Sequence, residues 1–416
     1  MLGVIINPAS TRLRARTVAI ADPGPLEAYL TPTRSMCLVH GGEGVIGLGE
    51  VARFETDSPD AADVWWETFS AEIEDETEMP GAHGTGPIAF GSFAFDPDRS
   101  ASPSVMIVPE TVIGHRAGHS WVTQMSYDVV DADPPRIQAP PRRAPITSVA
   151  PGVIGEQRWR ELAGQVQEIL GEADLERVLL MRDTMVRTAD PIDPRWIVET
   201  LIRREPDAWT YLVEGAVGVT SKLMVGDLDG LLRTRALTHG PTGDDSNASR
   251  ILDALRGRGP IAAEHRRTVE WSAERIAPFC SAVRYSPFPG LVWADEGRLL
   301  STDVTGAALP DTRSLAVVSG LHPAPFVSGL PAWKAADTLA EVEEVDRGRI
   351  TGPLGWVDRD GDGEWVTDWR GAQIDGTDPN LAHVFTGQAV SRDDDITALS
   401  EELEAKVRAT LAVVGL

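Results

Sequence analysis

Short runs of alternating apolar and polar residues recur along most of this 416-residue chain, and helical patterns interrupt them at irregular intervals. That irregularity constrains the fold more than any other feature. Regular strand–helix alternation leads to a parallel sheet, whereas strands that follow one another through turns pair antiparallel. The first 150 residues are mostly of the second kind, with strand patterns at 36–40, 44–51, 87–95 and 104–108. One acidic helix is predicted over 60–78, where Ala62, Val64, Trp65 and Phe69 recur at helical spacing. Residues 132–151 carry six prolines without periodicity and read as an extended linker. Beyond it, helices are predicted over 155–171, 194–204, 261–282, 332–345 and 396–413. Strands are expected at 177–186, 210–213, 217–219, 222–225, 231–235, 299–309, 355–357 and 364–369. The class is therefore α+β, with a mostly β half over 1–131, the linker over 132–151 and a second half over 152–416.

Charge narrows the function. Lys and Arg number 38 against 63 Asp and Glu, a formal net charge of −25. Such a balance argues against a protein that tracks nucleic-acid phosphates or anchors through a polybasic patch. An acidic chain that takes an anionic substrate must place its cations deliberately. The two cysteines, Cys37 and Cys280, make neither a disulfide framework nor a cysteine zinc site. With no charged leader followed by an apolar run, and no apolar stretch of spanning length, a cytoplasmic location is expected.

Two familiar patterns lack the context they need. Gly42-Glu-Gly44-Val-Ile-Gly47 matches a dinucleotide fingerprint, but a further strand rather than a helix follows, so a glycine-rich hairpin is expected. Asp358-Arg-Asp360-Gly-Asp362-Gly363 copies half a calcium loop, yet its twelfth position is Trp369 rather than Glu, which leaves a β-turn.

Five further stretches occur in order. They are Gly86-Pro-Ile-Ala-Phe-Gly-Ser-Phe-Ala-Phe-Asp-Pro97, Leu175-Glu-Arg-Val-Leu-Leu-Met-Arg182, Ala263-Glu-His-Arg266, Leu321-His-Pro-Ala-Pro-Phe-Val-Ser-Gly-Leu-Pro331 and Val345-Asp-Arg-Gly-Arg-Ile-Thr-Gly-Pro-Leu-Gly-Trp356. Together they resemble the chorismate-utilising enzymes: isochorismate synthase, salicylate synthase and the large subunit of anthranilate synthase. The resemblance spans roughly residues 80–416 and implies two packed antiparallel sheets flanked by helices, the two halves forming one integrated unit. It also implies a small anionic, chorismate-like carboxylate as substrate, with no nucleic-acid or membrane partner. A monomer is the expectation.

The resemblance implies a Mg²⁺ ion on Glu264 and Glu402, a cofactor suited to neutralising an anionic substrate. The acidic residues that accompany these glutamates in the family are replaced here by Ile261 and Leu399. Arg370 and Lys406 match carboxylate-binding cations. Taken alone, Glu402 and Lys406 also read as an ordinary helical i,i+4 pair, and Arg370 as a surface cation. Gly387 matches the first glycine of a substrate-binding turn, with Gln388 and Ala389 replacing its next two residues.

The catalytic positions depart further. The family's lysine base falls on Arg177, which cannot be deprotonated and reads instead as an anion clamp or a residue paired with Glu176 or Asp183. The glutamate acid falls on Lys222, a threonine on Gly240, a histidine on Leu299 and a tyrosine on Ile350. Lys222 is the titratable candidate for catalysis, and His239 is a second acid–base candidate beside its reading as a loop histidine. Arg347 reads as structural, bonding backbone carbonyls. Three functions stay open: isochorismate synthase-like hydration, a repurposed enzyme such as a lyase on a related carboxylate, and a non-catalytic homologue whose cleft is filled by Leu299 and Ile350.

Overall fold

The computed structural model describes residues 12–128, 130, 135–172, 174–239, 248–294 and 297–413. Among these, eight α-helices occur: α1 (Pro59–Ala71), α2 (Glu156–Glu172), α3 (Pro194–Arg204), α4 (Ala248–Leu255), α5 (Gly259–Ile276), α6 (Ser314–Leu321), α7 (Ala332–Val342) and α8 (Ile396–Val413). Two large sheets lie between them, of 13 and 10 described strands, and every pairing but one is antiparallel. Strands from both halves of the chain share each sheet. In the larger one Trp209–Val213 pairs Ser35–His40, and in the smaller one Leu354–Asp358 pairs Ile88–Ser92.

The alternation of side chains along the strands explains the layering. Leu38 and Val45 belong to the core between the sheets, with Phe90, Trp356 and Trp365 from the smaller sheet. Their neighbours Cys37, Val39 and Ile46 point the other way, into a second core closed by Ile197, Val198 and Leu201 of α3. The larger sheet is thus buried on both faces over this region.

Three predicted segments differ. The acidic helix stops at Ala71, and Glu74–Thr77 instead adds a parallel edge strand beside Arg14–Ala19. The helix predicted over 261–282 ends at Ile276, just before Pro278, and Cys280–Tyr285 is a strand paired with Gly297–Ala308. The last six linker residues, Ile146–Pro151, pair with Arg177–Thr188. The two rejected motifs are hairpin turns: 41–42 joins Ser35–His40 to Glu43–Leu48, and 359–362 joins Leu354–Asp358 to Gly363–Val366. No described helix is long and apolar enough to cross a membrane.

Candidate functional site

The chain crosses between the sheets twice at neighbouring places. Ser221 and Lys222 connect Ala216–Thr220 of the larger sheet to Leu223–Leu228 of the smaller one. Thr367–Trp369 makes the reverse crossing, from Gly363–Val366 to Arg370–Ile374. The Thr220 hydroxyl donates to the Thr367 carbonyl at 3.0 Å, tying the crossings together. Lys222 is buried there, with Nζ 3.6 Å from Asp368 Oδ1 and 5.2 Å from the centroid of the Trp369 ring. Lys406 Nζ stands 5.3 Å from the same ring, so Trp369 touches two ammonium groups.

A small cavity of about 30 Å³ opens beside Lys222. Its walls include Arg177, Leu237, Thr238, Leu299 and Phe326, with Ala389 from the strand that carries Gly387 and Gln388. Arg177 opens the Arg177–Thr188 strand, and Gly329 closes against it: a Cβ there would collide with the Arg177 carbonyl. Arg347 braces the same walls as expected, donating to the carbonyls of Val327 and Leu179 at 2.7 Å each. Its buried partner Glu343 accepts from the Met181 amide. From below, His265 Nδ1 meets Thr238 Oγ1 at 3.1 Å and Nε2 meets Thr302 Oγ1 at 2.8 Å. Burial pushes His265 down to about 4, which leaves a neutral ring pinning α5 to the sheet.

The other predicted residues fall at varied distances from this cavity. The Arg177 guanidinium is bonded to Glu264 of α5, not to Glu176 or Asp183. Glu176 pairs with Arg267, and Asp183 accepts the amides of Val153 and Ile154. Glu402 pairs with Lys406 at 2.8 Å, and Lys406 also donates to Gln388 Oε1 at 2.6 Å. Arg370 sits apart, its guanidinium 2.8 Å from Glu205 in a buried pair. Leu299 reaches the cavity wall, whereas Ile350 belongs to the core between the sheets. Gly387 lies opposite Met181 in the strand ladder. The backbone of His239 pairs with that of Leu299, and Gly240 lies outside the described residues.

Glu264 and Glu402 have the donor chemistry a magnesium ion takes, carboxylate oxygens whose side chains keep 28% and 40% of their exposure. Each is paired with a cation of this chain, Glu264 with Arg177 and Glu402 with Lys406. Asp368 and Trp369 are the site residues that sequence reasoning missed; their signal was an acid and an aromatic immediately before Arg370. A larger cavity of about 720 Å³ lies elsewhere, lined by Arg34, Arg53, Glu214 and Arg349, and contains none of the predicted site residues.

A family model described as chorismate binding enzyme matches residues 39–415. The chain is 22% identical over 407 residues to isochorismate synthase MenF of Bacillus subtilis, covering 89% of this chain and 85% of that protein. It is 25% identical over 340 residues to isochorismate synthase EntC of Escherichia coli, covering 79% and 82%. The solved structure of MenF, the menaquinone-specific isochorismate synthase from Escherichia coli, superposes with a TM-score of 0.79 at 18% identity over 98% of this chain and 96% of that one. At that identity the likeness speaks for the fold.

Proposed function

We propose that this chain, which belongs to the chorismate-binding enzyme family, acts on a small cyclic carboxylate of the chorismate or isochorismate class, with Lys222 as the hydrogen-bond donor to its departing oxygen. The observation that carries the reading is the cavity wall, where Arg177 and Lys222 stand among apolar side chains. Arg177 is paired with Glu264 and Lys222 with Asp368, and an anionic ligand in this cavity would share or take over these cations. A guanidinium cannot take a proton from water, so Arg177 orients a carboxylate rather than activating a nucleophile. Lys222 can donate to a departing oxygen. The pair therefore suits loss of a leaving group better than hydration. Release of pyruvate from an isochorismate-type ring is one such reaction: the ring carbon–oxygen bond breaks while a ring hydrogen passes to the enolpyruvyl methylene carbon, without an external base. A magnesium ion held by Glu264 and Glu402 would neutralise the ring carboxylate. Replacing Lys222 with Met removes the donor to the departing oxygen and should lower turnover of the accepted substrate by about 10²–10³-fold, measured by product formation. Unchanged turnover would remove Lys222 from the chemistry.

One observation favours a second reading, a homologue without catalysis. The cavity of about 30 Å³ holds a water or two, far below the several hundred Å³ of a usual ligand site. If neither chorismate nor isochorismate raises the melting temperature, the second reading stands.

A further inference from the structure

We infer that Arg177 is a tethered counter-ion occupying the metal's place on Glu264, so that a divalent ion binds only by displacing it and thereby frees its guanidinium for the substrate. The inference rests on the reading of Glu264 and Glu402 as the metal carboxylates. Arg177 belongs to two places at once, bonded to Glu264 of α5 and forming part of the cavity wall. Its side chain is largely buried, at 15% exposure, and the Glu264 side chain is half-buried. Water therefore screens this pair less than a surface pair. Glu402 is similarly engaged, and its cation is held from three sides: Lys406 meets Glu402 at 2.8 Å, Gln388 Oε1 at 2.6 Å and the Trp369 ring at 5.3 Å.

Charge makes the displacement costly. The positions three residues before the glutamates are Ile261 and Leu399, so neither helix supplies a second carboxylate there to draw the ion in. A lysine on Glu264 could release its proton as the metal arrived. An arginine keeps its charge and must move. The ion's arrival and the guanidinium's release into the cavity are then one exchange, coupling metal and substrate binding.

The test is a titration of the full-length protein with Mn²⁺, following free ion by electron paramagnetic resonance, in wild type and in Arg177→Gln, Arg177→Lys and Glu264→Gln. Removing the tethered charge should tighten Mn²⁺ binding at least tenfold in Arg177→Gln, and Arg177→Lys should fall between it and wild type. Glu264→Gln should weaken binding. Should Arg177→Gln fail to fold, Arg177→Lys carries the test alone. If the Arg177 variants bind no more tightly than wild type while Glu264→Gln weakens binding, the tethered role is overturned and the metal reading survives. If Glu264→Gln binds as wild type does, the metal reading has failed and the inference falls with it.

Discussion

At the scale of single residues, the site is a set of ion pairs, two joining distant parts of the chain and two made between residues four apart. Arg177 meets Glu264, Lys222 meets Asp368, Lys406 meets Glu402, and Arg347 meets Glu343. The last pair is almost fully buried and also holds the backbone at Leu179, Met181 and Val327. Truncating one member of such a pair strands the other charge, so Arg347→Ala should destabilise the protein by about 3–5 kcal/mol. Urea unfolding checks this, and a loss under 1 kcal/mol would contradict it. The substitutions at Arg177 and Lys222 were legible in the sequence because the resemblance supplied positions to compare. Their partners were not. Asp368 is separated from Lys222 by helices α4 to α7 and the strands between them, and only the three-dimensional fold makes the two neighbours. Glu402 and Lys406 were readable both ways, and the structure retains the i,i+4 pair while adding Gln388 and Trp369 to it.

At the scale of elements, the sequence showed long periodic segments well and edges poorly. The last helix falls at 396–413 as predicted, and α3 begins at Pro194 behind its Asp193 cap, which accepts the Arg195 amide. The stretch 72–78 failed because its acidic residues suit a helix, whereas tertiary pairing with Arg14–Ala19 makes part of it a strand. Titration also acts through elements. Burial holds His265 of α5 and His322 beyond α6 down to about 4, so their contribution is complete above the ordinary histidine value of about 6.5 and is lost as pH falls through 4. Two aspartates act in the opposite sense. Burial and the charge of Asp362 raise Asp227 to about 7 and Asp358, at the Leu354–Asp358 strand end, to about 8. Their contribution is complete below the ordinary carboxylate range and is lost as pH rises through 7 and 8. The two effects oppose each other between pH 4 and 6.5, and above that only the aspartates act. The melting temperature should therefore fall between pH 6.5 and 8, and Asp358→Asn should flatten that fall. An equal slope in the variant would contradict the assignment.

At the scale of the whole molecule, the two halves are interleaved strand by strand. The α+β class followed from the pattern of strands and turns, and the two-sheet arrangement followed from the resemblance. Which strands neighbour which could not be read, because pairings such as Trp209–Val213 with Ser35–His40 join segments far apart in sequence. The stretches that carry the family resemblance make sense only at this scale. Gly86–Pro97 and Val345–Trp356 lie against each other, with Phe90 opposite Trp356 and the Phe93 amide bonded to the Pro353 carbonyl. We expect a single calorimetric unfolding transition, since neither half completes a sheet alone; two resolved transitions would contradict this. Under the proposed function the chain carries out carboxylate-binding, leaving-group chemistry, with Arg177 standing where hydration needs a base. The most direct test of this is to incubate the purified protein with chorismate and, separately, with isochorismate, each with and without Mg²⁺, and to resolve the products by mass. Consumption of isochorismate with release of pyruvate, and little or no isochorismate formed from chorismate, is the predicted result. Efficient conversion of chorismate to isochorismate, or no product from either compound, would contradict it.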